Sequence, residues 1–195
     1  MKNSVFIFLM LLWALVGEKA AAQETAAFGP ANARITGSIP YAVLGKYRAH
    51  FDVFHGKVGL QRNTKDVQSV YLDIEAASIK STCRLCDRAA RSRKLLNASR
   101  YPEIIFRSDK IWRIQGRYKV LGELEMHGVR KKIGFPFKAK ISLDAKSRRK
   151  CLVLEGRWVL NRKDFKINWN KYLDHGGVMV GDDFTVDWGI KLFLD

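Results

Sequence analysis

The chain has 195 residues with 35 Lys and Arg against 19 Asp and Glu, a formal charge of +16, and 47% hydrophobic residues. That hydrophobic content excludes a disordered polyelectrolyte, and the length suits one domain with a substantial core. Such a charge ordinarily points to nucleic acid, unless the chain is exported.

Export is what the first residues predict. A short basic start, Met1-Lys2-Asn3, precedes an apolar run over 4–16 and the small residues Ala20-Ala21-Ala22. This is the pattern of a secretory signal cleaved near Ala22, and the run falls short of the roughly 20 residues that span a bilayer as a helix. Loss of residues 1–22 removes Lys2, Lys19 and Glu18 and leaves +15 on the exported part. In an envelope or extracellular space the ordinary polyanions are anionic headgroups and acidic glycans, so the expected partner is an anionic surface and not nucleic acid. Solvated strand faces that aid solubility explain the charge equally well.

Residues 23–33, rich in Ala, read as a tether, and 34–195 as the domain. From Arg34 onward the dominant period is two. Val70, Leu72 and Ile74 alternate with Tyr71, Asp73 and Glu75, and Tyr118, Val120, Leu124 and Met126 share a face. Ile133, Phe135, Phe137, Ala139, Ile141 and Leu143 form the clearest run, and Phe184, Val186, Trp188, Ile190 and Leu192 close the chain. Each run has one apolar and one wet face, as antiparallel strands do. Turns are expected at Gly56, 63–66, Asp109-Lys110, Gly116, Gly128, 144–150 and 174–177. Pro136 inside a strong strand fits only an edge, bulge or seam.

One helix interrupts the strands, predicted over 84–96 with Leu85, Ala89, Ser92 and Leu96 as its inner stripe and Arg84, Arg88 and Arg91 beside it. Pro102 biases Tyr101 toward extended backbone and ends it. The fold class is therefore all-β with one short helix, an antiparallel barrel of about eight strands. Such an interior is either filled by its own side chains or encloses one ligand.

Three cysteines, Cys83, Cys86 and Cys151, leave at least one unpaired or paired between molecules. A Cys83-Cys86 bridge and a link from either to Cys151 both fit. Cys83-Arg84-Leu85-Cys86 also admits a thiol-redox reading, although the thioredoxin strand-helix context is missing. The four histidines lack metal-motif spacing, and no nucleophile or phosphate-loop motif occurs. Nothing supports an enzyme or a required cofactor.

Several segments taken in order resemble the YceI-like family. Phe51-Asp52-Val53-Phe54-His55-Gly56 is similar to its early strand, and Val70 to Ser81 to the next. Tyr101-Pro102-Glu103-Ile104-Ile105-Phe106-Arg107-Ser108 matches its Tyr-Pro-x-Ile-x-Phe-x-Ser motif, Gly122 to Val129 its Gly-Val turn, and Asn161-Arg162-Lys163-Asp164-Phe165 its Asn-Arg-x-Asp-Phe segment. The ending from Gly177 to Val186 fits as well. The resemblance implies an elongated lipocalin-like barrel in the periplasm with a tunnel for an isoprenoid or fatty lipid. The ligand-facing residues would be Phe51, Leu72, Ile104, Phe106, Leu124, Met126, Phe135, Phe137, Trp158, Val186 and Trp188. Arg84, Arg88 and Arg91 would hold an acidic headgroup at the mouth. The family's Arg and His in the helix are replaced here, Cys86 standing for the Arg. Two further readings stand beside the lipid carrier: a thiol-redox stress protein, and a filled barrel that binds the envelope by charge alone.

Overall fold

The computed structural model describes residues 23–43, 45–172, 174 and 178–194, so the expected leader at 1–22 and all of the 174–177 turn except Asp174 lie outside the described residues. Among the described residues eleven strands form one antiparallel sheet. They are β1 (Gln23–Phe28), β2 (Ala33–Tyr41), β3 (Gly45–Phe51), β4 (Phe54–Gln61), β5 (Val67–Glu75), β6 (Ile79–Lys80), β7 (Glu103–Ile114), β8 (Arg117–Met126), β9 (Val129–Leu143), β10 (Lys150–Asn161) and β11 (Asp183–Phe193). The helix α1 (Arg84–Arg91) lies between β6 and β7.

The order across the sheet is β1-β4-β5-β7-β8-β9-β10-β11-β2-β3-β6. Its ends meet, because β3 runs into β4 through Asp52 and Val53, and β5 runs into β6 through a 3-10 turn at Ala76–Ser78. The Asp52 N–H donates to the Ser78 carbonyl at 3.2 Å, and the Glu75 N–H to the Val53 carbonyl at 3.1 Å. The sheet thus curls round on itself. The strand count exceeds the expected eight because three lengths of chain, β1–β2, β3–β4 and β5–β6, are each broken by a bend.

Residues 23–28 are not a tether. They form β1, paired in register with β4 from Gln23↔Gln61 to Phe28↔Gly56. Gly56 is accordingly a strand residue and not a turn: a Cβ there would sit 2.1 Å from the Phe28 ring, so only glycine lets that ring fold over the strand. Asp109-Lys110 is likewise no turn but a bulge in β7, where the register against β8 shifts between Ser108 and Lys110. Two-residue hairpins join β7 to β8 at Gln115-Gly116 and β8 to β9 at His127-Gly128, with positive φ at all four positions, as the inward-twisting hairpin turn requires.

Alternation holds along β8, where Tyr118, Val120, Leu124 and Met126 are buried. It runs out at the end of β9 that pairs with β10 alone, where Ile141 and Leu143 beside the 144–149 turn are each 54% exposed. Pro136 lies opposite Lys119 of β8, but the ladder between β9 and β10 stops one residue earlier, at Phe137↔Gly156. Residues 129–136 and 157–161 therefore have no ladder between them, which is the seam that a mid-strand proline needs.

The helix is shorter than expected and turned differently. It ends at Arg91 because Ser92 leaves helical backbone and its hydroxyl donates to the Ala89 carbonyl at 2.7 Å. Leu85 is 76% exposed and Ala89 is exposed; Asp87 and Ala90 face inward. The buried Asp87 carboxylate decides this. It accepts from the Ser81 N–H at 3.0 Å, the Ser81 hydroxyl at 2.5 Å and the Tyr47 hydroxyl at 2.8 Å, and a charge this deep is tolerated only when so satisfied.

Candidate functional site: an apolar cavity inside the sheet

The inward faces enclose a cavity of ≈ 230 Å³, walled almost entirely by apolar atoms. Native cores carry few voids larger than a water molecule, and an engineered apolar cavity of about 150 Å³ stays dry and takes up benzene. At about 24 cal/mol per Å³ a sealed void of this size would cost about 5 kcal/mol relative to a filled core, which is the upper bound for a cavity that is partly open. A barrel filled by its own side chains is thus not what this sequence builds.

All eleven apolar residues expected to face a ligand line the cavity: Phe51, Leu72, Ile104, Phe106, Leu124, Met126, Phe135, Phe137, Trp158, Val186 and Trp188. Parity explains why they were readable, since every second residue of a strand points the same way. One wall is an aromatic cluster. Phe135 stacks on Trp158 with centroids 4.1 Å apart, and Trp188 meets Phe135 edge-on at 6.3 Å and Phe137 at 5.9 Å. The indole N–H groups of Trp158 and Trp188 are buried with no hydrogen-bond partner among the described residues.

Arg84, Arg88 and Arg91 are not brought to the cavity. All three are exposed, and the Arg91 guanidinium donates to the Ile79 carbonyl, tying α1 to β6. The rotation that buries Asp87 carries the arginine stripe outward. What α1 contributes is Ala90, which with Leu95 and Leu96 of the following turn and Tyr47 of β3 covers one end of the cavity. Burial, and the hydrogen bond it donates to Asp87, push the Tyr47 hydroxyl well above its ordinary pKa. Burial by itself would raise the Asp87 carboxyl, but the hydrogen bonds from Ser81 and Tyr47 and the Arg91 charge outweigh it and hold it below the usual range.

Arg162 was missed as a wall residue. It is 2% exposed, lines the cavity, and donates to the carbonyls of Gly181 (2.8 Å), Ile167 (2.6 Å) and Trp169 (2.8 Å) and to the Asp182 carboxylate (2.9 Å). The Asn161-to-Phe165 segment therefore works as a staple: Asn161 caps the 3-10 turn at Arg162–Phe165 through the Lys163 N–H, Phe165 is 0% exposed, and Arg162 ties Ile167 and Trp169 to Gly181 and Asp182. A hydrogen bond from Lys163, together with the Arg162 charge, holds the Asp182 carboxyl below its usual range. The signal available in sequence was the motif itself, whose arginine is too costly to bury unless its donors are all used.

Cys83 and Cys86 form a disulfide at the start of α1, and Cys151 is a free thiol, 1% exposed on β10. That burial leaves the odd cysteine no route to a partner molecule while the chain is folded.

A curled antiparallel sheet with one short helix over an apolar interior is a lipocalin-type fold. The YceI-like domain model matches residues 27–192, and the chain belongs to that family. Among solved structures it is similar to BcnA of Burkholderia cenocepacia, with 16% identity, a TM-score of 0.66, and coverage of 84% of this chain and 96% of that one. It is also similar to the Campylobacter jejuni YCEI protein, with 17% identity, a TM-score of 0.63, and coverage of 75% and 84%. A polyisoprenoid binding domain from Saccharophagus degradans, implicated in plant cell wall breakdown, aligns at 13% identity with a TM-score of 0.63, covering 89% of this chain and 100% of that one. At these identities the likeness is one of fold. No curated protein matches the sequence.

Proposed function

We propose that this protein is exported to the periplasm and there holds an isoprenoid-type or other long-chain amphiphile in its cavity, as a carrier or store and not as an enzyme. The observation that carries the reading is the ≈ 230 Å³ void with an almost wholly apolar wall inside an otherwise packed sheet. Family membership and the polyisoprenoid-binding neighbour support it. Burying hydrocarbon is worth about 0.8 kcal/mol per methylene, or roughly 3–4 kcal/mol per five-carbon prenyl unit. A few units therefore offset the association cost of about 4–15 kcal/mol without directional contacts. No cofactor is needed for that role, and the +15 charge of the exported part favours an anionic envelope surface as the place of loading. Organic extraction of purified protein followed by mass spectrometry, with uptake of a fluorescent prenyl probe by delipidated protein, tests the proposal. Recovery of a long-chain lipid and saturable uptake are expected; no lipid and no uptake would refute it.

A thiol-redox role is the second reading. It is favoured by one observation, the half-buried Cys83–Cys86 bridge at the start of α1, within reach of a reductant.

A further inference from the structure

The interior of the barrel is plugged at one end. Val58, Leu60, Val67, Leu152, Leu154 and Leu192 are each at most 3% exposed, and none of them lines the cavity. Phe137 forms the cavity floor on that side, with the Tyr118 ring stacked against it at 5.0 Å and the Tyr118 hydroxyl donating to the Asp66 carboxylate. At the other end the wall is built by Ile39, Tyr47, Leu95, Leu96, Ile167 and Val180, and a ligand has to pass there.

That end carries a collar. Residues 178–181 run between the tip of β2 and residues 170–172: the Ala42 N–H donates to the Met179 carbonyl, the Gly181 N–H to the Pro40 carbonyl and the Met179 N–H to the Lys171 carbonyl, each at 2.9 Å. The Asn170 side chain locks the arrangement, donating to the Val180 carbonyl at 2.6 Å and accepting from the Val180 N–H at 3.0 Å. Residues opposite each other across an antiparallel pair share a side of the sheet, and so does every second residue along a strand. Ile39 and Val180 line the cavity, Tyr41 bridges to Val180, and Tyr172 bridges to Val178. The inward face therefore continues past the end of the barrel as Tyr41, Val178 and Tyr172. Val178 is 41% exposed, Tyr172 81%, and Val43 at the β2–β3 turn 67%, so the apolar lining runs out onto the surface as a lip.

Cations accompany the lip. The three segments that form this end, 41–48, 84–96 and 166–181, carry nine Lys and Arg against Asp87 and Asp174, and Asp87 is buried. Lys94 joins two of the segments, its ammonium lying 5.5 Å from the centroid of the Trp169 ring. Lys46 follows the β2–β3 turn, and Lys171 directly precedes Tyr172. Exposed apolar tips among basic residues suit the boundary between headgroups and acyl chains, where a tyrosine satisfies both its ring and its hydroxyl and each cation near an anionic surface adds to binding.

We propose that this collar docks on an anionic lipid bilayer, with Val43, Tyr172 and Val178 in the headgroup layer and Lys46, Lys94 and Lys171 at the phosphates, so that a lipid chain moves between bilayer and cavity along the apolar lip. The inference rests on the lipid-carrier reading above and gives it a loading face. The exposed Ile141 and Leu143 lie beside Leu152 at the plugged end, away from the cavity, and serve as the control.

Co-sedimentation of the protein with vesicles of phosphatidylglycerol and phosphatidylcholine in equal parts, against phosphatidylcholine alone, tests the proposal. Binding should be at least about tenfold stronger to the anionic vesicles and should weaken with salt. Lys46→Gln with Lys171→Gln should cost about thirtyfold, about fivefold per cation, and Tyr172→Asp with Val178→Asp at least about tenfold, while Ile141→Asp with Leu143→Asp changes nothing. Uptake of a prenyl probe from solution should be unchanged in all three double variants, since none of the substituted residues lines the cavity. No vesicle binding, equal binding by parent and collar variants, or an equal loss in the Ile141 and Leu143 variant would overturn the docking face, and probe uptake in the same samples would leave the cavity reading standing. Vesicle binding without probe uptake would refute the cavity reading and leave the docking face. Self-association abolished by the Tyr172 and Val178 substitutions, with no vesicle binding, would make a second copy the occupant and overturn the proposal.

Discussion

Gly37 offers the sharpest test that the interior is void. It stands on β2 between Ala49 of β3 and Val186 of β11, it lines the cavity, and a Cβ there would meet nothing within 4 Å. A Gly37→Phe substitution therefore introduces a ring into empty space without demanding a backbone that L residues avoid. Burying that side chain is worth about 1.5–3 kcal/mol, against at most the roughly 5 kcal/mol that a sealed void of this size would cost. For a domain of this size 1 kcal/mol moves the melting temperature by about 2–4 °C, so ligand-free protein should melt about 3–12 °C higher. The same ring occupies the space a lipid needs, so prenyl-probe uptake should fall at least about tenfold. Differential scanning calorimetry and probe titration on delipidated samples measure both. A lower melting temperature would mean that the site is already packed, and unchanged uptake would mean that ligand binds elsewhere; either result refutes the reasoning.

Three other outcomes follow from the site's construction. Arg162→Met keeps the stem but strands the carbonyls of Gly181, Ile167 and Trp169 and the Asp182 charge, and should cost at least about 3 kcal/mol in urea unfolding. Asp87 has its folded pKa lowered, so the stability it contributes is present above its unfolded value of about 3.9 and is lost as pH falls through the folded value; hydrogen exchange should show α1 loosening at acid pH before the sheet opens, and Asp87→Asn should abolish that pH dependence. A Cys83→Ser, Cys86→Ser variant loses a four-residue loop closure worth about 2 kcal/mol by chain entropy and should loosen α1 while retaining prenyl-probe uptake; retained uptake with loss of a cellular phenotype would instead favour the redox reading.

The inward faces of β5, β8, β9 and β11 were legible because strand parity is a local property: once a run alternates, each residue's side of the sheet is set by counting, and all eleven named apolar residues reach the cavity. Tyr101-Pro102 likewise marked where the turns after α1 give way to β7. Residues 23–28 looked like a tether because an Ala-rich stretch has little burial signal of its own; only pairing with β4, some thirty residues on, makes it a strand. Gly56 read as a turn for the same reason, its role being set by the Phe28 ring across the strands.

Helix orientation lay further out of reach. Leu85 and Ala89 suggested an inner stripe, yet the three hydrogen bonds to Asp87 from Ser81 and Tyr47 turn the other face in and take the arginines away from the lipid-facing interior. By itself the sequence determined the all-β class, the faces of its strands and the excess of positive charge, all of which are sums or local periodicities. Only the tertiary structure decided that Cys83 bonds Cys86, that the interior leaves space instead of closing on itself, and that β9 and β10 part beyond Phe137. Those depend on distances between residues remote in the chain, and a void is a property of how volumes add in three dimensions, which no one-dimensional pattern contains.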